Sequence, residues 1–184
     1  MRQVLKLHPD SLCAAVTRIE AEAVRPRPGL LALRYVVTGA TSGLVLPALS
    51  APKRADGLWR HTCFEAFVRA PPSEAYLELN FAPSSQWAAY RFDGYRQGMA
   101  TAEGFGVPQI EVRSTDGGLE LQATLDLGPA PGLPEAAPWR LGLSAVIEEA
   151  DGRLSYWALA HPPGKPDFHH PDCFALDLPA PERP

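Results

Sequence analysis

Long apolar runs are missing from this chain of 184 residues, and none approaches the ~20 consecutive residues that a helix needs to cross a bilayer. The opening "MRQVLKLHPDSLCAAV" is broken by Lys6, His8 and Asp10 before a signal-type apolar core can form, so the chain reads as cytoplasmic with no membrane partner. Runs of lysine or arginine are missing as well. A net charge of −4 without a clustered basic surface gives nothing to displace counterions from a phosphate backbone, which argues against a nucleic-acid partner. Cysteine is scarce: Cys13, Cys63 and Cys173 are odd in number and lack the short paired spacings of zinc modules. Reduced thiols are expected, with a Cys63–Cys173 bridge as the alternative. There is no G-x-S-x-G elbow, and Cys63 and Cys173 lie in apolar runs that disfavour a thiolate. The one glycine cluster, "TGATSG" after Val37, has no helix behind it and reads as a loop rather than a phosphate cradle.

What is present points to a folded all-β protein. Hydrophobic residues make up 46% and charged residues 21%, the balance of a globular chain. The length suits one domain spanning 1–184, with a proline-rich tail from about Pro179. Apolar residues recur with period two. In "GLELQATLDL", Leu119, Leu121, Ala123 and Leu125 alternate with Glu120, Gln122, Thr124 and Asp126, as in a strand with one buried face. Similar runs start at Leu30, Leu58, Ala75, Gln86, Trp139, Leu154 and Cys173, and "VTRIEAEAV" near the start fits too. Asp116-Gly117-Gly118 and Asp151-Gly152 are hairpin turn signals between such runs, so neighbouring strands should be antiparallel. Eight to ten short strands in one domain favour a β-sandwich of two antiparallel sheets, because a single open sheet leaves an apolar face uncovered; a closed barrel is the alternative.

Alternation also sorts candidate site residues. In "LWRHTCFEAF" it groups Trp59, His61, Cys63 and Glu65 on one side and sends Phe64 toward the core. In "YLELNF" the buried set is Leu77, Leu79 and Phe81, so Tyr76, Glu78 and Asn80 face the other way. In "SYWALAH" Trp157 falls with Ser155, Leu159 and His161. Faces that mix an aromatic ring with carboxylate, amide or imidazole suit a polyhydroxylated ligand: the ring covers the sugar's C–H face while the polar groups take its hydroxyls. Trp59, Trp87 and Trp157 are the candidate platforms, and Trp139 is expected in the core. Glu65 and Glu78 would approach each other if their strands are neighbours, which would also suit acid/base chemistry.

The late stretch "HPPGKPDFHHPDCF" carries His161, Lys165, Asp167, His169, His170, Asp172 and Cys173. The residue types suit a metal, but the spacing matches no structural zinc pattern, and consecutive histidines in an extended segment point apart. It reads as a structural loop and pocket wall, without a metal or other cofactor.

At "GLWRHTCFEAFV", "YLELNFAPSSQWAAYRFDGYRQGM" and "LSYWALAHPPGKPDFHHPDCFALDL" the chain resembles the bacterial DOMON-like proteins, which are related in fold to the family 9 carbohydrate-binding modules. The resemblance covers most of the chain. It implies an immunoglobulin-like or jelly-roll β-sandwich with a ligand site on the sheet and its adjoining loops. Family 9 modules hold a sugar between two tryptophans, which by motif implies Trp59 with Glu78, Asn80 and Trp87, and Trp157 as a candidate second wall. Haem, bound by some DOMON domains through methionine and histidine, is less well provided for, since Met99 is the one internal methionine. The expected function is non-catalytic binding of a small polar ligand, most simply a saccharide or glycoside, by Trp59, Glu65, Glu78, Asn80, Trp87, Trp157, His161, Lys165, Asp167 and His169. The rivals are a metal-assisted or acid/base enzyme using Glu65 or Glu78 with His161 and His169, and a protein-interaction module.

Overall fold

A computed structural model of the chain describes residues 2–104, 106–115, 117–128, 130 and 132–181. The described residues form strands and three single 3-10 turns, in the order β1 Gln3–Leu7, β2 Val16–Val24, β3 Leu30–Gly39, β4 Lys53–Arg54, β5 Cys63–Arg69, β6 Tyr76–Phe81 and β7 Gln86–Phe92, followed by β8 Ala100–Thr101, β9 Gln109–Thr115, β10 Gly118–Asp126, β11 Trp139–Glu148, β12 Leu154–Ala158 and β13 Leu176–Leu178. The protein is all-β. The long period-two runs all become strands, the one from Ala75 beginning at Tyr76 and two others trimmed further. Leu58–Arg60 is a 3-10 turn, so β5 begins only at Cys63, and Pro171–Cys173 is another such turn ahead of β13. The short β1 and the exposed, polar β9 lie outside the runs singled out above.

Hydrogen bonding follows one continuous path, β4-β7-β6-β5-β11-β12-β1-β2-β3-β10-β9, with β13 beside β11 and β8 beside β7. The expected separation into two sheets is therefore not seen in the pairing, because β1 bonds to β12 through Lys6 and Leu7 and to β2 through Gln3 to Leu5. Neighbours are antiparallel except β4 and β7, which run parallel. Of the two turn signals, Asp151-Gly152 closes the β11–β12 hairpin with Gly152 at φ +84°, whereas Asp116 lies outside the described residues.

The curled sheet encloses one apolar core. Leu33, Tyr35 and Val37 of β3 and Leu121 and Ala123 of β10 share it with Phe64, Ala66 and Val68 of β5 and Leu77, Leu79 and Phe81 of β6. Tyr35 and Phe64 lie with ring centroids 5.1 Å apart. The Tyr35 hydroxyl, fully buried, donates to the Glu65 backbone carbonyl at 2.7 Å and so ties the two halves of the path together. Arg25 fastens one end: its guanidinium lies 3.6 Å from the Trp139 ring centroid and donates to the carbonyls of Ala137, Glu135 and Pro179.

The strands β5, β6, β7, β11 and β12 are buried on their other face too. There Phe67, Tyr76, Tyr90, Phe92 and Val146 pack in a second cluster with Leu58, Phe168 and Phe174 from adjoining segments. A fully withdrawn Phe or Leu side chain is worth ~1.5–3 kcal/mol, so this aromatic layer adds to stability as well as shaping the surface above it. Replacing Tyr35 by phenylalanine removes only the cross-core hydrogen bond and should cost about 1–2 kcal/mol. Urea titration checks this; an unchanged midpoint would show that the bond adds nothing net.

Candidate functional site

The second aromatic layer leaves a cavity of about 380 Å³ between the sheet and two loops. Its floor is the outer face of the sheet, with Glu65 from β5, Glu78 from β6, Phe92 from β7 and Val146 from β11. Tyr156 of β12, Phe168 and His169 line it together with Trp59, Arg96 and Met99. Trp59 stands on the 3-10 turn Leu58–Arg60. That turn is entered through Gly57 at φ +75°, a left-handed conformation that costs glycine little. Leu58 is buried beneath it, and the indole, 36% exposed, rests edge-on against Tyr90 at 5.9 Å.

Strand pairing explains the floor. Glu65 lies opposite Asn80, and Phe67 opposite Glu78, in the β5–β6 register, so the two carboxylates are diagonal neighbours on one face. Glu78 Oε1 accepts from Asn80 Nδ2 at 2.8 Å, and Ser144 Oγ donates to Glu65 Oε2 at 3.5 Å. Burial first, then the charge of Glu78, pushes Glu65 well above the usual carboxylate range. Glu78 is raised by burial as well, partly offset by the Asn80 hydrogen bond and by the charge of Arg96.

His169 is held by the same layer. Burial, with the charge of Arg96 as a lesser cause, lowers its pKa to about 4, so it is neutral at physiological pH, and its 3.7 Å approach to Glu78 Oε2 is not an ion pair there. The Tyr76 hydroxyl accepts the Arg96 backbone N–H at 3.3 Å and lies 2.8 Å from His169 Nδ1. Donation from Tyr76 to Nδ1 satisfies both groups and leaves the imidazole proton on Nε2, facing Glu78. Neither ring nitrogen then offers a lone pair to the cavity. Arg96 sits at φ +54°, uncommon for a residue with a side chain, and its guanidinium binds Asp167 at 2.8 Å. Asp167 also accepts from Tyr95 and from the His169 backbone N–H, so this one carboxylate joins the two loops that wall the cavity.

Of the ten residues read from the sequence, the structure brings Trp59, Glu65, Glu78 and His169 to one cavity and places Asn80 beside Glu78. Lys165 and Asp167 line a neighbouring hollow of about 430 Å³, which shares Arg96 and Pro166 with the first. Three residues stand elsewhere. Trp87 and Trp157, each 5% exposed, belong to the enclosed core and not to a ligand platform. Trp87 lies beneath the Arg54 guanidinium, and the Trp157 indole donates to Ser155 Oγ at 3.1 Å. On β7 and β12 the outward rings are Tyr90 and Tyr156 instead, because the strands present the opposite parity to the cavity. His161 bonds the Lys6 carbonyl at 2.8 Å and packs edge-on to His8; it does not line the cavity, and meets it only through the Phe168 ring 6.3 Å away.

The late loop is built by local bonds. Cys173 Sγ approaches the carbonyls of Ala160 and Asp167, each at 3.2 Å, and His170 caps the turn at Pro171–Cys173. The three cysteines are free; burial raises Cys63 well above the ordinary thiol value and Cys173 to about 12. Among the described residues, no group of three or more His, Cys, Asp or Glu side chains is placed to hold a metal ion.

The buried groups impose a pH dependence. Glu65 and Glu78 keep their protons in the folded state above the unfolded carboxylate value of about 4.3, so their contribution is complete below it and is lost as pH rises through the folded values. His169, lowered to about 4, acts in the opposite direction: stability rises with pH from there to about 6.5. Glu65→Gln should therefore gain stability relative to the parent as pH is raised from about 5 to 8, read from urea midpoints across that range. A pH-independent offset would show that Glu65 ionises normally.

No protein-family model and no curated protein matches the sequence. Solved structures do match the fold. A putative carbohydrate-binding protein from Bacteroides uniformis superposes with a TM-score of 0.68 at 15% identity, over 97% of this chain and 85% of that one. A family 9 carbohydrate-binding module from Caldicellulosiruptor kristjanssonii, solved with cellotriose, matches with a TM-score of 0.51 at 12% identity, over 89% of this chain and 74% of that one. A family 9 module from the same organism, solved with glucose, gives 0.52 at 12% identity, over 98% and 86%. At these identities the likeness is one of fold: this chain shares the all-β architecture of carbohydrate-binding proteins.

Proposed function

We propose that this protein binds a small saccharide or glycoside without turning it over, in the cavity between Trp59 and the Glu65–Glu78 floor. The observation that carries this reading is the pairing of a partly exposed indole with two carboxyl groups in one cavity of about 380 Å³. A pyranose offers an apolar C–H face for the ring and hydroxyls for the acceptors, and most of its surface fits such a hollow. The fold neighbours support the reading, two of them having been solved with glucose or cellotriose. On this view the curled sheet is a single-domain sandwich of the DOMON-like kind, and the loops of residues 93–99 and 159–175 close over a sugar on its outer face. Tyr156 and Phe168 take the second aromatic wall that Trp87 and Trp157 do not supply.

An acid/base enzyme is the second reading. Glu65 and Glu78, diagonal neighbours with raised pKa values in one cavity, favour it, whereas His161 does not line that cavity. Steady release of product from chromogenic glycosides, lost in Glu78→Gln, would move the assignment there.

A ligand that binds only the folded chain raises its melting temperature, so thermal shift across a panel of mono- and oligosaccharides finds the sugar, and calorimetric titration measures it. Trp59→Ala should weaken that binding more than about tenfold. The exposed position predicts a stability cost below about 1 kcal/mol. A large fall in melting temperature, or unaltered affinity, would refute Trp59 as the platform.

A further inference from the structure

We propose that the carboxyl pair Glu65 and Glu78 on the cavity floor receives an ammonium group, so that the ligand is an amino sugar; this rests on the saccharide reading above and narrows it. The argument begins with hydrogen-bond supply. Asn80 is fully buried, and its Oδ1 has no donor. Its Nδ2 is turned to Glu78 Oε1, and directly across the strand pair stands Glu65, whose carboxyl receives, among the described residues, only the long contact from Ser144. Glu78 Oε2 faces His169 Nε2 at 3.7 Å, too far for a hydrogen bond. Once the two carboxyl groups are ionised, acceptors outnumber donors here. A hydroxyl brings one donor and two further acceptors, whereas an ammonium brings three donors and no acceptor.

Charge points the same way. Among the described residues, neither lysine nor arginine forms an ion pair with Glu65 or Glu78. Arg96 eases Glu78 from a distance, but its guanidinium is engaged by Asp167 at 2.8 Å, and Lys165 lines the neighbouring hollow. His169 is neutral. Burial makes both carboxyl groups hold their protons, Glu65 the more so for the charge of Glu78, and an entering ammonium would take a proton's place as the counter-ion that no lysine or arginine supplies there. The walls suit it as well: the rings of Trp59, Tyr156, Phe92 and Phe168 surround the cavity, and aromatic faces attract ammonium ions while covering the apolar side of a pyranose.

The test is calorimetric titration of the intact chain at neutral pH with glucosamine, glucose, N-acetylglucosamine and cyclohexylamine. Glucosamine should bind at least about tenfold more tightly than glucose or N-acetylglucosamine, the increment of an added charge-assisted hydrogen bond. That preference should collapse in Glu78→Gln and in Glu65→Gln, either variant sufficing if the other fails to fold. Equal binding of glucose and glucosamine, both lost in Trp59→Ala, would overturn the ammonium assignment and leave the saccharide reading standing. Cyclohexylamine binding as tightly as glucosamine would uphold the ammonium site and overturn the sugar body. Failure of all four probes to bind would overturn the proposal outright.

Discussion

Because β5 and β6 are withdrawn from water on both faces, every polar side chain on their outer face must find a partner inside the protein or in a ligand. Phe64, Leu79 and Phe81 fill the enclosed core on one side, which leaves Glu65, Glu78 and Asn80 under an aromatic layer on the other. An ordinary antiparallel sheet would turn that second face to solvent, and the same three residues would be unremarkable surface groups. Here Glu65 and Glu78 lie at the bottom of a cavity and hold their protons more tightly than in water, while Asn80, sealed beside them, is short of a hydrogen bond.

The walls depend on a different interaction. Asp167 accepts from Arg96, Tyr95 and the His169 backbone, and so fixes the loop after β7 to the loop after β12. The same contact engages the nearest cation, which is why the floor keeps its acidic character. Gly98 makes the turn possible: it stands at φ +64°, and a Cβ there would come within 2.0 Å of Asp93 Oδ2. Tyr76 links the layers, since its hydroxyl meets His169 and the Arg96 backbone while its ring stacks on Phe92 at 4.7 Å.

Much of this was legible in the letters. Period-two alternation located the long strands, and it placed Tyr76, Glu78 and Asn80 opposite Leu77, Leu79 and Phe81, as the two clusters show. Alternation says which residues share a face; it does not say which face is the enclosed one. On a strand buried on both sides the larger ring carries no information, and Trp87 and Trp157 accordingly proved to be core while Tyr90 and Tyr156 looked outward. Trp59 reached the site by a route unrelated to alternation, because Gly57 breaks the strand into a turn. His161 and His169 are alike in sequence, and only tertiary placement separates the one bonded to Lys6 from the one beside Glu78. Strand β1 escaped for want of length and β9 because it turns only the half-buried Ile110 and Val112 to the core, although β1 is the piece that joins the two halves of the path.

Two-sided burial also divides the labour of change in this molecule. A substitution at Glu65 or Asn80 disturbs packing, pairing and charge together, so the base of the hollow is free to vary only within what the interior tolerates. The two tethered loops carry no such load. A lineage or a protein engineer seeking a new taste in ligands would find it there, in Met99 and Pro166, with the acidic base inherited unaltered.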